Sequence, residues 1–408
     1  MNIFLDAQPL LGSKSGVARY IDCLYSELST HHNSNVYLAF NRIIKGINLT
    51  DITDRKPGRI INQRYPYKVI RRLLNPNFLY DFPYDFFKFK KADIFHGTNF
   101  THNATRKGKS IITIHDLAFL RFPETTSEKI YKHHSKWVPY SARKCDHIIA
   151  VSEQTKNDIV ELLRVPEYKI STIYSAADTR FFKLPEPQYF PVIQHYQLPE
   201  RYILFVGTVE PRKNLLGLLK SYLIFRKNSA LSDKLVIVGA KGWKYSPIFD
   251  FIKENNLESE VIFTGYIEDE HLPAIYNGAT LFVMPSIYEG FGIPILEAMG
   301  CGVPVIGSNV SSIPEVIDSF GVMVSPTDYE GWAAEIHRFL SDESLRNKYS
   351  KLSLERASHF SWKRTAEATK QVYIDVLNSN LPVSKGLSYE NSVSARLPQS
   401  VRGSGTST

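Results

Sequence analysis

The chain contains 408 residues, 43% of them hydrophobic and 22% charged, with a formal net charge of +8. This composition excludes an intrinsically disordered chain, and the length predicts two globular domains of about 200 residues each. The three cysteines are too few and too widely spaced for a disulfide framework, and no stretch of about 20 residues is apolar enough to span a membrane, so we expect a cytoplasmic protein.

The first half of the chain alternates short β-branched or aliphatic runs with amphipathic stretches. A glycine-containing loop at 12–16 follows the first run and precedes a helical pattern at 17–28. The predicted strands of this half are 2–7, 36–40, 93–97, 110–116 and 147–152. The alternation of strands with helices predicts a parallel sheet that is covered by helices on both faces.

Ten basic residues against two acidic ones make residues 55–91 the most basic part of the chain, and aromatic residues are interspersed among them. This mixture suits contact with an anionic membrane at the inner face. It equally suits a solvated basic face whose aromatic residues belong to the core. A nucleic-acid partner is not expected, because the chain contains no recognised nucleic-acid-binding module.

The same strand–helix alternation restarts after the proline-rich stretch 183–192, which is the predicted linker. The predicted strands of this second half are 202–207, 234–240, 261–266, 280–286 and 303–308. Two doubly wound domains of this kind direct the carboxyl ends of their strands, and hence their ligand-binding loops, toward one cleft.

The domain boundaries follow from these patterns. We expect a Rossmann-like domain at 1–187 and a second one at 188–360. A helix at 361–378 is expected to pack back toward the first domain. The stretch 379–408 is rich in Ser and Gly and lacks periodicity, so it is predicted to be a disordered tail.

The segment SIYEGFGIPILEAMGCGVPVIGS at 286–308 carries two glutamates, Glu289 and Glu297, eight positions apart. Glycines and Pro294 between them predict a loop that becomes a short helix near Gly292, because proline is tolerated in a first helical turn. The free N–H groups of such a helix start predict an anion site, which glycines allow a phosphate to approach closely. The residues expected to bind the donor there are Gly290, Phe291, Gly292 and Ile293.

Eight residues at helical rise span about 12 Å, whereas the acid and base of a hydrolytic carboxylate pair lie about 5–9.5 Å apart. The spacing of Glu289 and Glu297 suits contacts with two hydroxylated rings that are separated by a diphosphate better than it suits a hydrolytic acid and base. It predicts a nucleotide-sugar whose transferred sugar contacts Glu289 and whose ribose contacts Glu297. The alternative is that both glutamates are ordinary solvent-exposed residues at helix ends.

This segment resembles the E-x7-E signature of retaining glycosyltransferases of family 4, and the resemblance extends to about residue 380. It implies the GT-B fold, in which two facing Rossmann-like domains bind the donor mainly through the C-terminal domain and the acceptor mainly through the N-terminal one. The segments GTVEPRKNL and SNVSSIPEV look most like mannosyltransferases that use GDP-mannose in surface-polysaccharide assembly. The acceptor is then a polysaccharide or a lipid-linked glycan, and no cofactor is required.

The resemblance also implies roles for individual residues. Arg212 and Lys213, in the loop after a strand, are expected to grip the diphosphate and to stabilise it as it leaves during a front-face displacement. Many members of the family have an arginine directly after the glycine of this loop, where this chain has Thr208, which is expected to bind the donor. The absence of a D-x-D sequence and of a His/Cys cluster predicts that no metal is needed, since cations of the protein take its place.

Further residues complete the expected site. His115, at a strand end, is expected to contact the transferred sugar, and Asp116 to orient it or to bind the acceptor. Gly16 is expected to face the donor phosphates, and the loop at Tyr266 to contact the base. Glu315 is expected to support the donor loop without contacting substrate.

Two other classes of function compete with glycosyl transfer. A GT-B-like epimerase would need additional carboxylates in the cleft, and a phosphorylase would need a lysine for pyridoxal phosphate. A non-catalytic module that binds sugar nucleotides or membranes is favoured only if Glu289 and His115 do not reach the cleft.

Overall fold

The computed structural model describes residues 1–12, 16–30, 34–41, 59–63, 92–102 and 108–378. These residues form two α/β domains, each built on one parallel sheet, as the alternating pattern predicts. Most of the basic segment, residues 64–91, and the stretch 379–408 lie outside the described residues, so the predictions of membrane contact and of a disordered tail stay predictions.

The N-terminal sheet has seven strands in the order β3-β2-β1-β4-β5-β6-β7. The strands are β1 Asn2–Asp6, β2 Asn35–Asn41, β3 Arg59–Gln63, β4 Ile94–Gly97, β5 Lys109–Ile114, β6 His147–Ala150 and β7 Ile170–Thr172. Strands β4 and β6 are buried over their whole length, as expected for a sheet covered on both faces. The edge strands β3 and β7 were not predicted, because β3 is largely polar and β7 has only three residues.

The C-terminal sheet has six strands in the order β10-β9-β8-β11-β12-β13. The strands are β8 Tyr202–Val206, β9 Lys234–Val238, β10 Val261–Gly265, β11 Leu281–Met284, β12 Val305–Ser308 and β13 Val322–Val324. The strand order reverses between β8 and β11, which pair in parallel. In open sheets of this type, ligands bind outside the carboxyl ends of the strands at such a reversal.

Helices cover both sheets. In the part of the N-terminal domain that the structure describes, they are α1 Gly16–Thr30, α2 Ala118–Arg121, α3 Glu128–Lys144 and α4 Glu153–Leu163. Those that follow are α5 Glu186–His195, α6 Leu215–Asn228, α7 Ser246–Glu254, α8 Leu272–Asn277, α9 Ile293–Gly300, α10 Ile313–Ile317, α11 Tyr329–Ser341, α12 Glu343–Ser358 and α13 Trp362–Asn378. Side-chain caps start several of them. Ser152 caps α4, since its hydroxyl accepts a hydrogen bond from the Thr155 N–H.

The predicted linker 183–192 is largely helical, because α5 occupies Glu186–His195. Pro187 lies in the first turn, where the missing N–H costs nothing, and Ile193 is buried in the core of the C-terminal domain. The boundary drawn at residue 187 therefore falls inside this helix. Proline content indicated a linker, but burial of one face of the stretch decided the structure.

The final helix α13 returns to the N-terminal domain and packs against α1, with Ala366 and Tyr373 buried in the N-terminal core. A buried polar network fixes this contact. The Tyr373 hydroxyl lies 2.6 Å from His96 Nδ1, and His96 Nε2 lies 2.7 Å from Thr113 Oγ1. Among the helices in the described ranges, none is both long and apolar enough to cross a lipid bilayer.

Stability at acid pH tests this network. Burial, with a smaller contribution from His115, lowers the pKa of His96 to about 3. Between that pKa and the ordinary value of about 6.5, the unfolded chain binds a proton at His96 that the folded chain excludes. The free energy of unfolding therefore decreases as the pH falls below about 6.5, by at most about 1.4 kcal/mol per pH unit. The His96→Gln variant should show a shallower dependence in urea unfolding between about pH 4.5 and 7.5.

His195→Gln is the matched control, because His195 lies exposed in α5, so this variant also removes one histidine but leaves the buried hydrogen bonds of His96 intact. Identical pH dependences for wild type and His96→Gln would show that the buried His96 does not resist protonation.

Candidate active site

The loops that follow β8 and β11 meet where the strand order of the C-terminal sheet reverses. The first loop carries Arg212 and Lys213 in a short 3₁₀ turn, and the second carries Glu289. The Ile287 N–H donates to the Arg212 carbonyl oxygen at 3.0 Å, which ties the two loops together through the backbone. Residues separated by more than 70 positions in the sequence thus share one site.

Glu289 is 6% exposed, and both of its carboxylate oxygens are bound. Lys213 Nζ and Ser286 Oγ each donate to Oε1 at 2.6 Å, and Arg212 donates to Oε2 at 3.1 Å. Burial alone would raise the pKa of this carboxyl, but Lys213 and then Arg212 outweigh it and lower the pKa to about 2. Glu289 is therefore ionised throughout the physiological range.

A second buried carboxylate completes the cluster. Glu210 is 4% exposed, and it accepts a hydrogen bond from Arg212 at 2.8 Å. Burial raises the pKa of Glu210, whereas the pKa of Arg212 is raised because Glu289, Asp116 and Glu210 together outweigh the effect of its own burial. Two carboxylates and two cations thus neutralise each other in a site largely shielded from water.

The signature helix begins at Ile293 and ends at Gly300, as predicted. Gly292 precedes it with φ of 107°, a left-handed conformation that strongly favours glycine. Gly290 is needed for a different reason. A Cβ at this position would lie 1.8 Å from the His115 carbonyl oxygen, so only glycine allows the two domains to approach this closely.

Glu297 lies in this helix and is 1% exposed. Its Oε2 accepts a hydrogen bond from the Tyr276 hydroxyl at 2.7 Å, and its Oε1 pairs with the guanidinium of Arg19 from the N-terminal domain. Arg19 also pairs with Asp269 at 3.2 Å, on the loop that follows Tyr266. The two predicted site glutamates are therefore held separately, Glu289 by its own domain and Glu297 partly from across the cleft.

His115 lies just beyond β5, as predicted, and faces the Glu289 loop. Its Nε2–H donates to the Thr98 carbonyl oxygen at 2.8 Å, which leaves Nδ1 as the acceptor of a neutral ring. Burial lowers the pKa of His115, so the ring is neutral at pH 7. The Tyr20 ring meets it edge-on, with the two centroids 5.0 Å apart.

The remaining predicted residues occupy more varied positions. Asp116 accepts a hydrogen bond from the Ala118 N–H at 3.0 Å, in the turn that leads into α2, while its charge acts on Arg212. Thr208 is exposed, and Tyr266 is 61% exposed at the end of β10. Gly16 begins α1, and a Cβ there would meet nothing within 4 Å, so no close packing explains this glycine.

Support of the donor loop stays a prediction for Glu315, whose side chain contacts the other domain. Its carboxylate accepts hydrogen bonds from the backbone N–H groups of Glu153 and Gln154 at 2.8 Å each, at the start of α4 in the other domain. An acidic side chain at a helix N-terminus is stabilised by the helix dipole. Glu315 therefore joins the two domains at one side of the cleft.

Within the described residues, one group of side chains has the composition of a metal site. Glu268, Glu270 and His271 bring ligand atoms within 4.8 Å of one another, but both glutamates are exposed. His271 Nδ1 lies 3.0 Å from the Tyr196 hydroxyl. Exposed acidic groups of this kind are common without a metal, and metal independence stays a prediction.

Sequence reasoning missed several residues that build the site. Tyr288 and Glu210 stand inside the quoted motifs beside predicted residues, and Arg19 stands three positions after the predicted Gly16. Tyr276 carries no local sequence signal, because its role depends on how α8 packs beside α9. The arrangement presents a paired, ionised carboxylate, two cations and a neutral imidazole around one cleft.

Two family profiles match the chain. The profile described as Glycosyltransferase Family 4 matches residues 15–181, and the one described as Glycosyl transferases group 1 matches residues 193–356. These two regions correspond closely to the two sheet domains of the structure.

Related proteins include two from Escherichia coli. The chain is 34% identical over 284 residues to O-antigen chain mannosyltransferase B, covering 69% of this chain and 74% of that protein. It is 31% identical over 251 residues to the serotype-specific mannosyltransferase WbdA, covering 60% of this chain and 30% of that longer protein.

Solved structures resemble both domains together. A sucrose-phosphate synthase from Thermosynechococcus elongatus has a TM-score of 0.71 at 21% identity and covers 92% of this chain and 99% of its own. HepE from Anabaena, in complex with UDP and glucose, has a TM-score of 0.67 at 16% identity and covers 91% of this chain and 98% of its own. At these identities the likeness concerns the fold.

The buried charge cluster predicts a large effect for the loss of one cation. Lys213→Met leaves Glu289 buried with one cation fewer, and we expect the free energy of unfolding to fall by about 3 kcal/mol, because a buried charge loses its partner. Adding Glu289→Gln to this variant should restore part of the loss, since the stranded charge is then removed. Chemical denaturation of the three proteins measures both effects.

Lys227→Met is the control for these measurements. Lys227 is exposed at the end of α6, and its replacement should change the free energy of unfolding by less than about 0.5 kcal/mol. Equal losses in the two lysine variants would contradict a buried, paired cluster.

Proposed function

This chain belongs to glycosyltransferase family 4 and has the GT-B fold, and we propose that it transfers mannose from GDP-mannose to a growing cell-surface glycan with retention of configuration. The family and the related mannosyltransferases support an enzyme that transfers a hexose. The names of the relatives support an O-antigen-like polysaccharide or a lipid-linked glycan as the acceptor.

One observation carries this proposal. Glu289, Arg212 and Lys213 meet at the reversal of strand order in the C-terminal sheet, directly opposite the loop of His115. A donor whose diphosphate reaches the two cations would place its sugar between Glu289 and His115. The donor is then held by the C-terminal domain, and the acceptor approaches from the N-terminal one.

The two cations supply electrostatic stabilisation of the leaving group. In the donor-free protein, Glu210 and Glu289 neutralise Arg212 and Lys213. A bound diphosphate brings additional negative charge next to these cations. The negative charge on the leaving oxygen then grows as its bond to the sugar breaks. Preorganised cations therefore stabilise the transition state more than the ground state.

Glu289 is poorly suited to be a covalent nucleophile. Its pKa is about 2, and both oxygens already accept hydrogen bonds from Lys213, Ser286 and Arg212. A weakly basic, fully bound carboxylate attacks an anomeric carbon reluctantly, whereas it can still accept hydrogen bonds from sugar hydroxyls. This supports a front-face displacement, in which the leaving phosphate accepts the proton of the acceptor hydroxyl.

His115 and Glu297 hold the two ends of the donor in this proposal. A neutral His115 with a free acceptor nitrogen can bind a hydroxyl of the transferred sugar. Glu297 can accept hydrogen bonds from a ribose diol in place of the one from Arg19, which also pairs with Asp269 on the loop that follows Tyr266.

A panel of nucleotide-sugars tests the proposed reaction. We expect GDP-mannose to be the preferred donor with a mannan-type or lipid-linked acceptor, the new linkage to keep the anomeric configuration by NMR, and activity to survive EDTA. The cations of the protein replace a divalent ion in this expectation. Donor conversion without an acceptor would indicate an epimerase, and dependence on inorganic phosphate would indicate a phosphorylase.

The ion pair between Arg19 and Glu297 predicts that replacement of Arg19 increases the affinity for GDP. If ribose binds Glu297, it must displace Arg19, so Arg19→Gln should tighten GDP binding by about three- to tenfold, the net worth of about one ordinary hydrogen bond. Isothermal titration calorimetry measures the affinity. Arg180→Gln is the control, because Arg180 pairs with Asp269 at 3.5 Å and should leave GDP affinity unchanged.

Weaker GDP binding by Arg19→Gln would contradict displacement. It would show instead that Arg19 contacts the nucleotide directly.

A further inference from the structure

The two residues that flank Glu289 both dock into the opposite domain. Tyr288 and Gly290 enter a notch of the N-terminal domain, which we call the docking notch. Its residues are Leu117, Ser152, Thr155 and Asp158. The side chain of Glu289 stays in the C-terminal domain, while its neighbours on both sides are bound across the cleft.

Tyr288 is 2% exposed and forms two cross-domain hydrogen bonds. Its hydroxyl donates to Asp158 Oδ2 at 2.6 Å and accepts from the Leu117 N–H at 3.2 Å. Leu117 lies two residues after His115, so one phenol connects the loop of the predicted sugar-binding histidine with the loop of Glu289. Burial raises the pKa of Tyr288, so the hydroxyl stays protonated and able to donate.

Asp158 is an unusual acceptor, because it is 0% exposed. Its Oδ1 accepts from Arg121 at 2.5 Å and from Gln154 at 3.0 Å, and its Oδ2 accepts from Tyr288. A buried carboxylate is stable only when its oxygens are hydrogen-bonded, so the phenol contributes to stabilising the position of Asp158 when the domains are closed.

Gly290 strengthens the same contact through the backbone. Its carbonyl oxygen accepts from Ser152 Oγ at 2.7 Å and from Thr155 Oγ1 at 3.3 Å. On the C-terminal side, Arg212 donates to the Tyr288 carbonyl oxygen at 2.7 Å. The backbone of Glu289 is therefore held between a cation of its own domain and the docking notch of the other.

We propose that Tyr288 is a positioning residue that makes glycosyl transfer depend on domain closure, by docking on Asp158 and Leu117 and thereby aligning Glu289 with His115. When the domains separate, water replaces these hydrogen bonds, and neither loop holds the other. Donor binding by the C-terminal domain alone does not require the docked tyrosine, whereas transfer between the two half-sites does. This inference rests on the proposed transferase function.

Tyr288→Phe tests the proposal, because it keeps the ring and removes both cross-domain hydrogen bonds. With whichever nucleotide-sugar the wild type turns over, we expect kcat to fall by about tenfold or more, as a lost hydrogen bond to a charged group predicts. The nucleoside-diphosphate affinity, measured by calorimetry, should stay within about threefold of wild type, a difference worth less than about 0.7 kcal/mol.

Tyr222→Phe is the matched control. Tyr222 is 0% exposed, and its hydroxyl donates to the Asp233 carbonyl oxygen at 3.0 Å inside the C-terminal domain. The Tyr222→Phe variant therefore loses a buried tyrosine hydrogen bond that does not cross the cleft. We expect its melting temperature to fall at least as far as that of Tyr288→Phe, while its kcat stays within about twofold of wild type.

Asp158→Asn provides a second variant and a double-mutant cycle. If Tyr288 acts through Asp158, the losses in kcat of Tyr288→Phe and Asp158→Asn should be clearly less than additive when the two changes are combined. Additive losses would show that the two residues act separately and would overturn the proposed coupling.

Hydrogen exchange provides a readout that does not need turnover. The Leu117 amide donates to Tyr288, so peptides covering 113–121 should exchange faster in Tyr288→Phe than in wild type and in Tyr222→Phe. Faster exchange in Tyr288→Phe, together with no transfer from any nucleotide-sugar by the wild type, would contradict the proposed function but support the docking contact. Unchanged exchange together with unchanged kcat would overturn the role of Tyr288.

Discussion

The active-site architecture depends on the pairing of buried charges at the reversal of strand order in the C-terminal sheet. Glu289 and Glu210 are almost inaccessible to water, and an unpaired carboxylate in such a place would cost several kcal/mol. Arg212 and Lys213 remove that cost, but only if the loops after β8 and β11 lie side by side. The charges therefore fix the position of both loops, and the loops form the floor of the cleft.

The same constraint determines how the domains meet. Because the side chain of Glu289 is held by its own domain, the residues on either side of it project toward the other domain. Gly290 lets the backbone reach the loop of His115, where any side chain would collide with a carbonyl oxygen. The contacts between the domains thus include the segment around Glu289, so that closure and the geometry of the site are linked.

The second glutamate of the signature segment is held by a different set of partners. Glu297 is bound partly by Tyr276 of its own domain and partly by Arg19 of the other. A group that is bound across the cleft loses that partner when the domains separate, whereas the hydrogen-bond donors to Glu289 all belong to its own domain. The two carboxylates of one signature therefore differ in which domain holds them.

The parallel sheets, the short helix after Gly292 and the residue types at the strand ends could be predicted from the sequence, because strand periodicity, glycine conformation and proline placement are local properties. The folded protein was needed to show that Glu289 is held by Arg212 and Lys213 and that Tyr288 crosses the cleft. The helical linker and the edge strands β3 and β7 belong to this second group too. Their stability comes from burial against distant residues, which no local pattern encodes.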